Sequence, residues 1–327
     1  MPDAATARTP KITLLPTLEN GDWTTRSLAD AITEAGAHLT QPVQQPDGLV
    51  VGWGADPQDL LRTLNETPSI SWVQLPFAGI ESWKESLAAH PDLSWTSAKG
   101  IYGPPVGEHA LALTLALLRD LPERIRATSW GVPSGITLNG ARCVVVGGGG
   151  VAQESIRLLK AFDTHVTAVR RSDTPVPHAD LTVTTAQLSE ALPQADVVVL
   201  AAALTEETRN LMGEAELKAM KETAVLVNVG RGGLINTDAL TAALAAGDIK
   251  GAGLDVTEPE PLPDSHPLWQ EPRCIITPHT ADTLEICVPL YAARIKKNIA
   301  ALSEILNSTS AGEDTELEGI VDARAGY

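Results

Sequence analysis

The chain has 327 residues, of which 43% are hydrophobic and 20% charged, and its formal net charge at pH 7 is −17. This length suits two domains, and the composition is ordinary for a globular protein. The negative charge argues against a nucleic-acid partner and against an anionic membrane surface, because an acidic surface repels phosphate. Any phosphate site must therefore be local.

The cysteines and the apolar runs bear on the compartment. Cys143, Cys274 and Cys287 are far apart and have the spacing of neither a disulfide framework nor a metal site. We expect buried thiols in a reducing compartment and no metal. Residues 1–10 contain no apolar targeting segment, and no run of about 18 apolar residues occurs. We therefore expect a cytoplasmic protein.

Strands and helices alternate along the first third of the chain. The predicted strands are 11–16, 48–53, 69–76 and 93–98, and the predicted helices are 24–36, 56–66 and 82–90. This rhythm predicts a parallel sheet covered by helices on both faces. A long apolar helix is predicted at 108–121, and a loop rich in Gly, Pro and Ser at 130–142 separates two halves.

A second alternating set follows Arg142. Its predicted strands are 143–148, 165–170, 196–202, 224–230, 250–256 and 274–279, and its predicted helices are 151–162, 186–192, 214–220 and 237–246. Six parallel strands with crossover helices are typical of a dinucleotide-binding fold. The last helix, from about 283 to 307, is expected to return to the first domain. The polar tail after it is expected to be loosely held.

A glycine-rich turn lies between the first strand and the first helix of this second set. In CVVVGGGGVAQES, Gly147, Gly149 and Ala152 form a G-x-G-x-x-A pattern. Gly147 permits a tight turn, Gly149 lets the backbone approach a pyrophosphate, and Ala152 lets helix and strand pack closely. The helix N-terminus, at Gly150 and Val151, offers free N–H groups to phosphates. The alternative is a tight turn without any nucleotide.

A pair of arginines lies where a dinucleotide site makes its second contact, about 20 residues further on. Arg170, Arg171 and Ser172 end the strand 165–170, where an NAD site would place an acidic residue. Guanidinium groups and a hydroxyl suit a 2′-phosphate, so we expect NADP to be preferred over NAD. The alternative is a solvated basic strand end, and Asp173 would oppose a dianion if it pointed inward.

Three stretches carry a family resemblance: AVLVNVGRGGLINTDALTAAL (224–244), GAGLDVTEPEPLPDSHPLW (251–269) and CIITPHTAD (274–282). With V-N-V-G-R-G, L-D-V-x-E-P-E-P-L and T-P-H in this order, the chain resembles the D-isomer-specific 2-hydroxyacid dehydrogenases. LTEETRNLM (204–212) and FAGI (77–80) resemble loops of that family, so the resemblance covers about the whole length. It implies an α/β fold of two doubly wound parallel-sheet domains. A Rossmann cofactor domain (104–284) is expected to be inserted in a flavodoxin-like substrate domain (1–103), to which residues 285–327 return.

The resemblance also implies residue roles. Arg231 would clamp the substrate carboxylate and polarise the carbonyl, and His279 would be the acid–base, with Glu260 bonded to its other ring nitrogen. A carboxylate partner stabilises an imidazolium, as in a Ser–His–Asp triad, although no nucleophile is present here. The full set of expected cofactor contacts is Gly147, Gly149, Gly150, Val151, Ala152, Arg170, Arg171, Ser172, Ala203, Leu204, Thr208, Val229, Gly230, Arg231, Asp255, His279 and Ala281.

Substrate contacts are expected from both domains. Besides Arg231 and His279, the backbone of Ala78 and Gly79 would bind the carboxylate, and Trp53 and Gly54 would line the pocket. A tryptophan there favours a flat or apolar substrate tail over a phosphorylated one, although Trp53 could instead belong to the core. Reaction between two domains implies closure around the substrate.

These features predict an NADP-preferring reductase of small 2-oxo acids, of the glyoxylate/hydroxypyruvate type. One alternative is a D-3-phosphoglycerate dehydrogenase, which isolated lysines such as Lys84 and Lys99 in the first domain disfavour. Another is a nucleotide-sensing corepressor-like protein, which would not need Arg231, Glu260 and His279 together. As in related proteins, a homodimer built on the cofactor domain is expected.

Overall fold

The computed structural model describes residues 8–19, 21–308 and 316–324. The strands of these residues are β1 (Lys11–Leu15), β2 (His38–Leu39), β3 (Gly48–Val51), β4 (Trp72–Gln74), β5 (Ser94–Thr96), β6 (Arg142–Val146), β7 (His165–Arg170), β8 (Leu181–Thr184), β9 (Val197–Leu200), β10 (Val225–Asn228), β11 (Gly251–Leu254) and β12 (Cys274–Ile276). The α-helices are α1 (Trp23–Glu34), α2 (Pro57–Glu66), α3 (Lys84–Ala89), α4 (Gly103–Leu118), α5 (Leu121–Arg126), α6 (Gly150–Lys160), α7 (Leu188–Ala191), α8 (Glu214–Ala219), α9 (Thr237–Ala246) and α10 (Leu284–Asn307).

The chain forms two compact units. Unit 1 contains the residues up to Tyr102 and those from Thr283 onward, whereas unit 2 is the continuous stretch Gly103–Asp282. Unit 2 therefore interrupts the sequence of unit 1, as an inserted domain does.

Unit 1 is built on a parallel sheet in the order β2-β1-β3-β4-β5. This is the flavodoxin order, so the predicted fold of this part is confirmed. Its strands are short and buried on both faces, as β3 shows with four buried residues. The prediction missed β2, because a two-residue strand is too short to produce an alternating pattern.

A buried polar network ties α10 to the sheet of unit 1. Tyr291 donates its hydroxyl hydrogen towards the carbonyl oxygens of Val51 and Gln74, at 2.8 and 3.0 Å. Asn298 donates to Oε1 of Gln74 at 2.7 Å, and Thr96 Oγ1 donates to the same oxygen at 2.9 Å. Buried polar groups satisfied in this way fix one packing arrangement of helix on sheet.

Part of the C-terminal tail is also attached to unit 1. Ile320 pairs with Thr96 in an antiparallel bridge, and the Val321 N–H donates to the Trp95 carbonyl at 2.9 Å. Asn298 exchanges hydrogen bonds with the backbone of Glu318. The expectation of a loosely held tail is therefore wrong for residues 316–324, since backbone pairing compensates for their polar composition. Residues 309–315 and 325–327 lie outside the described residues.

Unit 2 is built on a parallel sheet in the order β12-β11-β10-β9-β6-β7-β8. The central crossing from β6 to β9 is the strand reversal of a dinucleotide-binding fold, which confirms the predicted class. The prediction of six strands is wrong, because the sheet has a seventh, β8. It lies at the edge and is only partly buried, so its sequence LTVT has no continuous apolar run.

Helix α4 begins at Gly103 and ends at Leu118, whereas the sequence predicted a helix over 108–121. Its first turn contains Pro104 and Pro105, which fit there because the first N–H groups of a helix need no internal partner. A side chain at Gly103 would lie 2.9 Å from the carbonyl oxygen of Gly150, so the start of α4 packs closely on the start of α6.

Two expectations about compartment concern the chain as a whole. In the described ranges, no helix combines the length and the apolar character needed to cross a membrane. Cys143, Cys274 and Cys287 are all buried, which confirms the expected buried thiols. The expected absence of a targeting segment rests largely on residues 1–7, which lie outside the described residues. The cytoplasmic compartment stays a prediction.

Candidate active site

Four loops at one edge of the unit 2 sheet contain most of the predicted site residues. They follow β6, β10, β11 and β12, and parallel strands place these carboxyl ends at the same edge. Such an edge, next to the reversal of strand order, is where sheets of this type bind ligands. The loops contain the glycine-rich turn, Arg231, Asp255 with Glu260, and His279, respectively.

The glycine-rich turn has the backbone that a dinucleotide site requires. Gly147 has φ +133°, and a side chain there would lie 2.5 Å from the carbonyl oxygen of Ala201. Gly149 caps α6, and nothing lies within 4 Å of the position that its Cβ would occupy. Helix geometry leaves the N–H groups of Gly150, Val151 and the buried Ala152 without helical acceptors. The turn therefore fits a pyrophosphate with room for close backbone approach.

The two arginines after β7 have different surroundings. Arg170 ends β7, where its guanidinium packs about 3 Å from the position of a Gly148 side chain and donates to the Thr174 carbonyl at 3.3 Å. Arg171 is exposed, and Ser172 Oγ donates to Thr174 Oγ1 at 3.2 Å. Arg170 is thus held beside the glycine-rich turn, as a group reading the adenosine ribose would be.

Asn228 shapes the turn that presents Arg231. This fully buried side chain accepts from the Gly230 N–H at 3.1 Å and donates to the Arg231 carbonyl at 2.9 Å. Arg231 is exposed, and one of its guanidinium N–H groups donates to the Gly230 carbonyl at 2.8 Å. Four guanidinium N–H groups remain for a ligand. Val229 is buried behind the turn. Gly232 must be glycine, since a Cβ would lie 1.9 Å from the Thr257 carbonyl oxygen.

His279 and Glu260 form a hydrogen-bonded pair. Nδ1 of His279 lies 2.7 Å from Oε1 of Glu260, and the His279 side chain is 43% exposed. Because Nδ1 faces the carboxylate, Nε2 is the nitrogen that remains for a substrate. His279 has φ +51°, a left-handed conformation that is uncommon outside glycine, and its N–H donates to the carbonyls of Asp255 and Thr277, both at 2.9 Å. Such local strain is found where surrounding bonds fix a functional loop.

The buried carboxylate of Asp255 holds the loop after β12, which contains His279. It is 2% exposed and accepts from Thr277 Oγ1 at 2.6 Å, from the Thr280 N–H at 2.9 Å and from the Ala281 N–H at 3.2 Å. Burial acts to raise the pKa of Asp255, but the hydrogen bonds from His109, Thr277, Thr280 and Ala281 outweigh burial and lower it to about 2. Both carboxylate oxygens are thus used within unit 2.

Asp282 marks the shared electrostatic surroundings of Arg231 and His279. Burial raises the pKa of the Asp282 carboxyl. The positive charges of His279 and Arg231 act in the opposite direction, and the negative charge of Asp255 adds to the increase. The pKa of this one carboxyl therefore responds to His279, Asp255 and Arg231.

The loop after β9 is folded back on itself. Thr208 Oγ1 donates to the Ala203 carbonyl and accepts from the Thr205 N–H, each at 2.8 Å. Arg209 donates to Glu258 at 2.8 Å, which links this loop to the one containing Glu260. Leu204 packs near Gly233. The predicted cofactor contacts Ala203, Leu204 and Thr208 are therefore placed by a closed turn.

The predicted substrate residues Trp53, Gly54, Ala78 and Gly79 all follow strands of unit 1. The half-buried Trp53 ring packs edge-on against Tyr291, with ring centroids 5.2 Å apart. Gly54 has φ +80° and is exposed. Ala78 is exposed and Gly79 is half-buried. Trp53 thus has both a packing partner and an exposed part, which fits either interpretation of this residue.

Sequence reasoning did not identify His109, Asn228 or Thr277. Asn228 and Thr277 lie inside the motifs V-N-V-G-R-G and T-P-H, next to the residues that were selected. His109 is far from any motif, and only the packing of α4 brings its ring to the loop after β12.

Comparison with known proteins decides the family. A sequence model described as "D-isomer specific 2-hydroxyacid dehydrogenase, NAD binding domain" matches residues 111–281, which is more than half of the chain. The chain belongs to the D-isomer-specific 2-hydroxyacid dehydrogenase family. Its nucleotide-binding unit is therefore an NAD(P)-binding domain, and the chain is an NAD(P)-dependent oxidoreductase that acts on 2-hydroxy acids.

Individual proteins resemble the chain over most of their length. An uncharacterised protein encoded in the proB 3′ region of Corynebacterium melassecola is 38% identical, with 79% of this chain and 84% of that protein covered. A glyoxylate reductase of Aeropyrum pernix is 30% identical, with 74% and 76% covered. A crystal structure of a family protein from Aeromonas salmonicida has a TM-score of 0.74 at 26% identity, with 97% and 100% covered.

Proposed function

We propose that this dehydrogenase reduces small 2-oxo acids of the glyoxylate/hydroxypyruvate type, with NADPH preferred over NADH. The observation that carries the proposal is the His279–Glu260 pair, 2.7 Å apart, on the same sheet edge as Arg231. Support for the substrate class comes from the glyoxylate reductase of A. pernix. Support for NADPH comes from Arg170 and Arg171, which replace the acidic residue expected of an NAD site.

In this proposal His279 is the proton donor. Its Nδ1–H is held by the Glu260 carboxylate, which stabilises the imidazolium, so Nε2 gives its proton to the carbonyl oxygen of the substrate. When bound, a reduced nicotinamide supplies the hydride that the carbonyl carbon receives. The product is the 2-hydroxy acid, and the neutral imidazole is protonated again from solvent. Glu260 keeps the imidazole oriented throughout.

Arg231 is the proposed carboxylate clamp. Its free guanidinium donors can bind the substrate carboxylate in a bidentate manner and place a positive charge near the carbonyl oxygen, which becomes negative in the transition state. The amide groups of Ala78 and Gly79 are proposed as further carboxylate donors, and Trp53 and Gly54 as residues that contact the rest of the substrate. Both carboxylate oxygens of Asp255 accept hydrogen bonds from the loop that contains His279. Asp255 is therefore proposed to support the nicotinamide site by holding that loop, and not by contacting the nicotinamide itself.

A substrate panel tests the proposal. Oxidation of NADPH and NADH is followed with glyoxylate, hydroxypyruvate, pyruvate and 3-phosphohydroxypyruvate. We expect the highest kcat/KM with NADPH and one of the first two acids. A preference for 3-phosphohydroxypyruvate would instead support a phosphoglycerate dehydrogenase. Dinucleotide binding without turnover of any acid would support a sensor protein and contradict the proposal.

The cofactor preference has its own test. Replacing Arg170 with Asp and Arg171 with Ala should shift the ratio of kcat/KM for NADPH over NADH by about 100-fold towards NADH, because the 2′-phosphate loses two cationic donors. Arg142→Ala, at the amino end of β6 and thus at the opposite sheet edge, is the matched control. An unchanged ratio in the double variant would show that the pair is only solvated surface charge.

We also propose a homodimer that forms through residues 121–136 of unit 2. Three apolar side chains of this segment are largely exposed: Ile125 at 81%, Trp130 at 95% and Val132 at 78%. Apolar exposure of this extent within one segment is typical of a protein interface. Sedimentation equilibrium should give twice the chain mass of 34.5 kDa, and Trp130→Ser should weaken the association. A monomer at micromolar concentration would contradict the proposal.

A further inference from the structure

Helix α4 places a histidine against the buried base of the His279 loop. His109 lies in the second turn of α4, and its Nε2 is 2.9 Å from Thr277 Oγ1 and 3.4 Å from Asp255 Oδ1. Its imidazole is mostly buried. Helix α4 packs on β10 and β11, which are central to the sheet of unit 2. His109 therefore connects α4 to a loop that is also held by the carboxylate of Asp255, which follows the neighbouring strand β11.

The hydrogen positions in this cluster follow from the chemistry of its members. Asp255 is ionised and can only accept, so the Thr277 hydroxyl, 2.6 Å away, gives its hydrogen to Asp255. The lone pairs of that hydroxyl then face His109, so Nε2 of His109 must carry a hydrogen. His109 is thus a donor to Thr277 and, at longer range, to the buried carboxylate itself.

The position of His279 depends on the two groups that His109 contacts. Asp255 binds Thr277 on one side of His279 and the Thr280 and Ala281 N–H groups on the other. The left-handed backbone of His279 is kept by bonds to the carbonyls of Asp255 and Thr277. A shift of either residue would therefore move the imidazole that transfers the proton.

We propose that His109 is a positioning residue for the proton transfer at His279, a role that rests on the function proposed above. Its Nε2–H fixes Thr277 and Asp255 against α4 and thereby keeps the His279 imidazole in register with the substrate carbonyl. Catalysis of this kind is sensitive to displacements of about 1 Å, so the loss of one anchoring donor lowers kcat more than it lowers binding.

Two substitutions at this position test the role. His109→Leu fills a similar volume without a donor, and kcat for the best 2-oxo acid should fall about 10-fold while KM changes by less than about 3-fold. His109→Gln places an amide N–H about where Nε2 lies, so it should restore most of kcat. His165→Leu, the same change at the amino end of β7 and at the opposite sheet edge, is the matched control and should leave kcat unchanged.

Three results would overturn the assignment. The first is a His109→Leu variant with the kcat of the wild type. The second is an equal loss of kcat in His109→Leu and His109→Gln, and the third is a loss of kcat that follows the fall in melting temperature. Either of the last two would indicate only a structural role. Dinucleotide affinity, measured by fluorescence titration, should remain within about 3-fold of the wild-type value in both variants.

A spectroscopic measurement separates this inference from the proposed activity. With histidine-labelled protein, the ring resonances of His279, assigned from the spectrum of His279→Ala, should shift or broaden in His109→Leu and return towards wild type in His109→Gln. If the wild type turns over no 2-oxo acid, the proposed function fails while the resonances still decide the positioning role. Unchanged His279 resonances in His109→Leu would overturn the positioning role whether or not the protein turns over.

Discussion

The two units share a parallel-sheet architecture but use polar side chains differently. At the carboxyl edge of unit 2, Arg231 and the Glu260–His279 pair remain open to solvent, and hydrogen bonds hold them in place. In unit 1, Tyr291, Gln74 and Asn298 bind one another and the backbone inside the core. The same fold class can therefore present reactive groups on its loops or use polar groups of a helix and a strand as internal attachments.

The largest effect is expected from the pair in unit 2. His279→Ala removes the proposed proton donor, so kcat for 2-oxo acid reduction should fall about 1,000-fold. Steady-state assays with NADPH measure the loss, and dinucleotide affinity should stay near the wild-type value. Glu260→Gln, which leaves a hydrogen-bonding group without its charge, should lose less. Near-wild-type turnover in His279→Ala would show that His279 is not the proton donor, and the contrast between a reactive unit 2 and a structural unit 1 would then fail.

A smaller effect is expected from the clamp. Arg231→Lys keeps the positive charge but loses the forked pair of donors, so kcat/KM should fall about 100-fold. Arg231→Ala should lose more, in both kcat and substrate affinity. The matched change Arg142→Lys, at the opposite sheet edge, should be silent. Equal activity of Arg231→Lys and wild type would reduce Arg231 to a simple point charge.

Asp255 belongs to unit 2 but resembles the polar groups of unit 1, because it is a buried charged residue with a structural role. At pH values above the usual carboxyl pKa of 3.8, the lowering of the Asp255 pKa to about 2 stabilises the folded state by about 2 kcal/mol. This stabilisation is complete above about pH 4 and is lost as the pH falls through about 2. The gap in melting temperature between wild type and Asp255→Asn should therefore be constant from pH 6 to pH 4 and narrow below pH 4.

The control for that measurement is Asp264→Asn, at an exposed position of the same unit, which should follow the wild type at every pH. A gap between wild type and Asp255→Asn that widens in acid would contradict the sign of the lowered pKa. It would also indicate that Asp255 is protonated in the folded protein.

The smallest effect is expected in unit 1. Tyr291→Phe removes one hydroxyl and leaves the ring against Trp53, so the free energy of unfolding should fall by about 1 kcal/mol. Because burial keeps the pKa of Tyr291 well above its usual value, the effect should not depend on pH between 6 and 9. Melting curves measure the loss, and kcat should remain as in the wild type. A large loss of kcat would show that this network does more than hold α10.

Much of the fold follows from local sequence signals. Valine-rich runs such as those of β6 and β9 are buried on both faces, so their apolar character marks them as central strands. β2 and β8 lack that signal because they are short or partly exposed. The first turn of α4 looks like a loop in the sequence because glycine and proline are rare inside helices, although both are tolerated at a helix start.

The reactive residues of the site were predicted from motifs, but the residues that hold them in place were not. Arg231, Glu260 and His279 lie in recognisable stretches, and the structure brings the last two into contact. His109 has no such signal, since a lone histidine in an apolar helix is ordinary and its partner Thr277 is 168 positions away. Asn228 acts on the backbone of a turn, and single-sequence patterns carry little information about which buried amide satisfies which turn.

The interrupted sequence of unit 1 has a consequence for synthesis. The segment of unit 2 is continuous, so it can fold as soon as its last residues leave the ribosome. Unit 1 lacks α10 and the strand-like pairing of Ile320 until after unit 2 has been synthesised, which leaves its nascent sheet without one of its helices and with an unpaired edge. The order of completion is therefore the reverse of the order of initiation: the unit that begins first is the last to close.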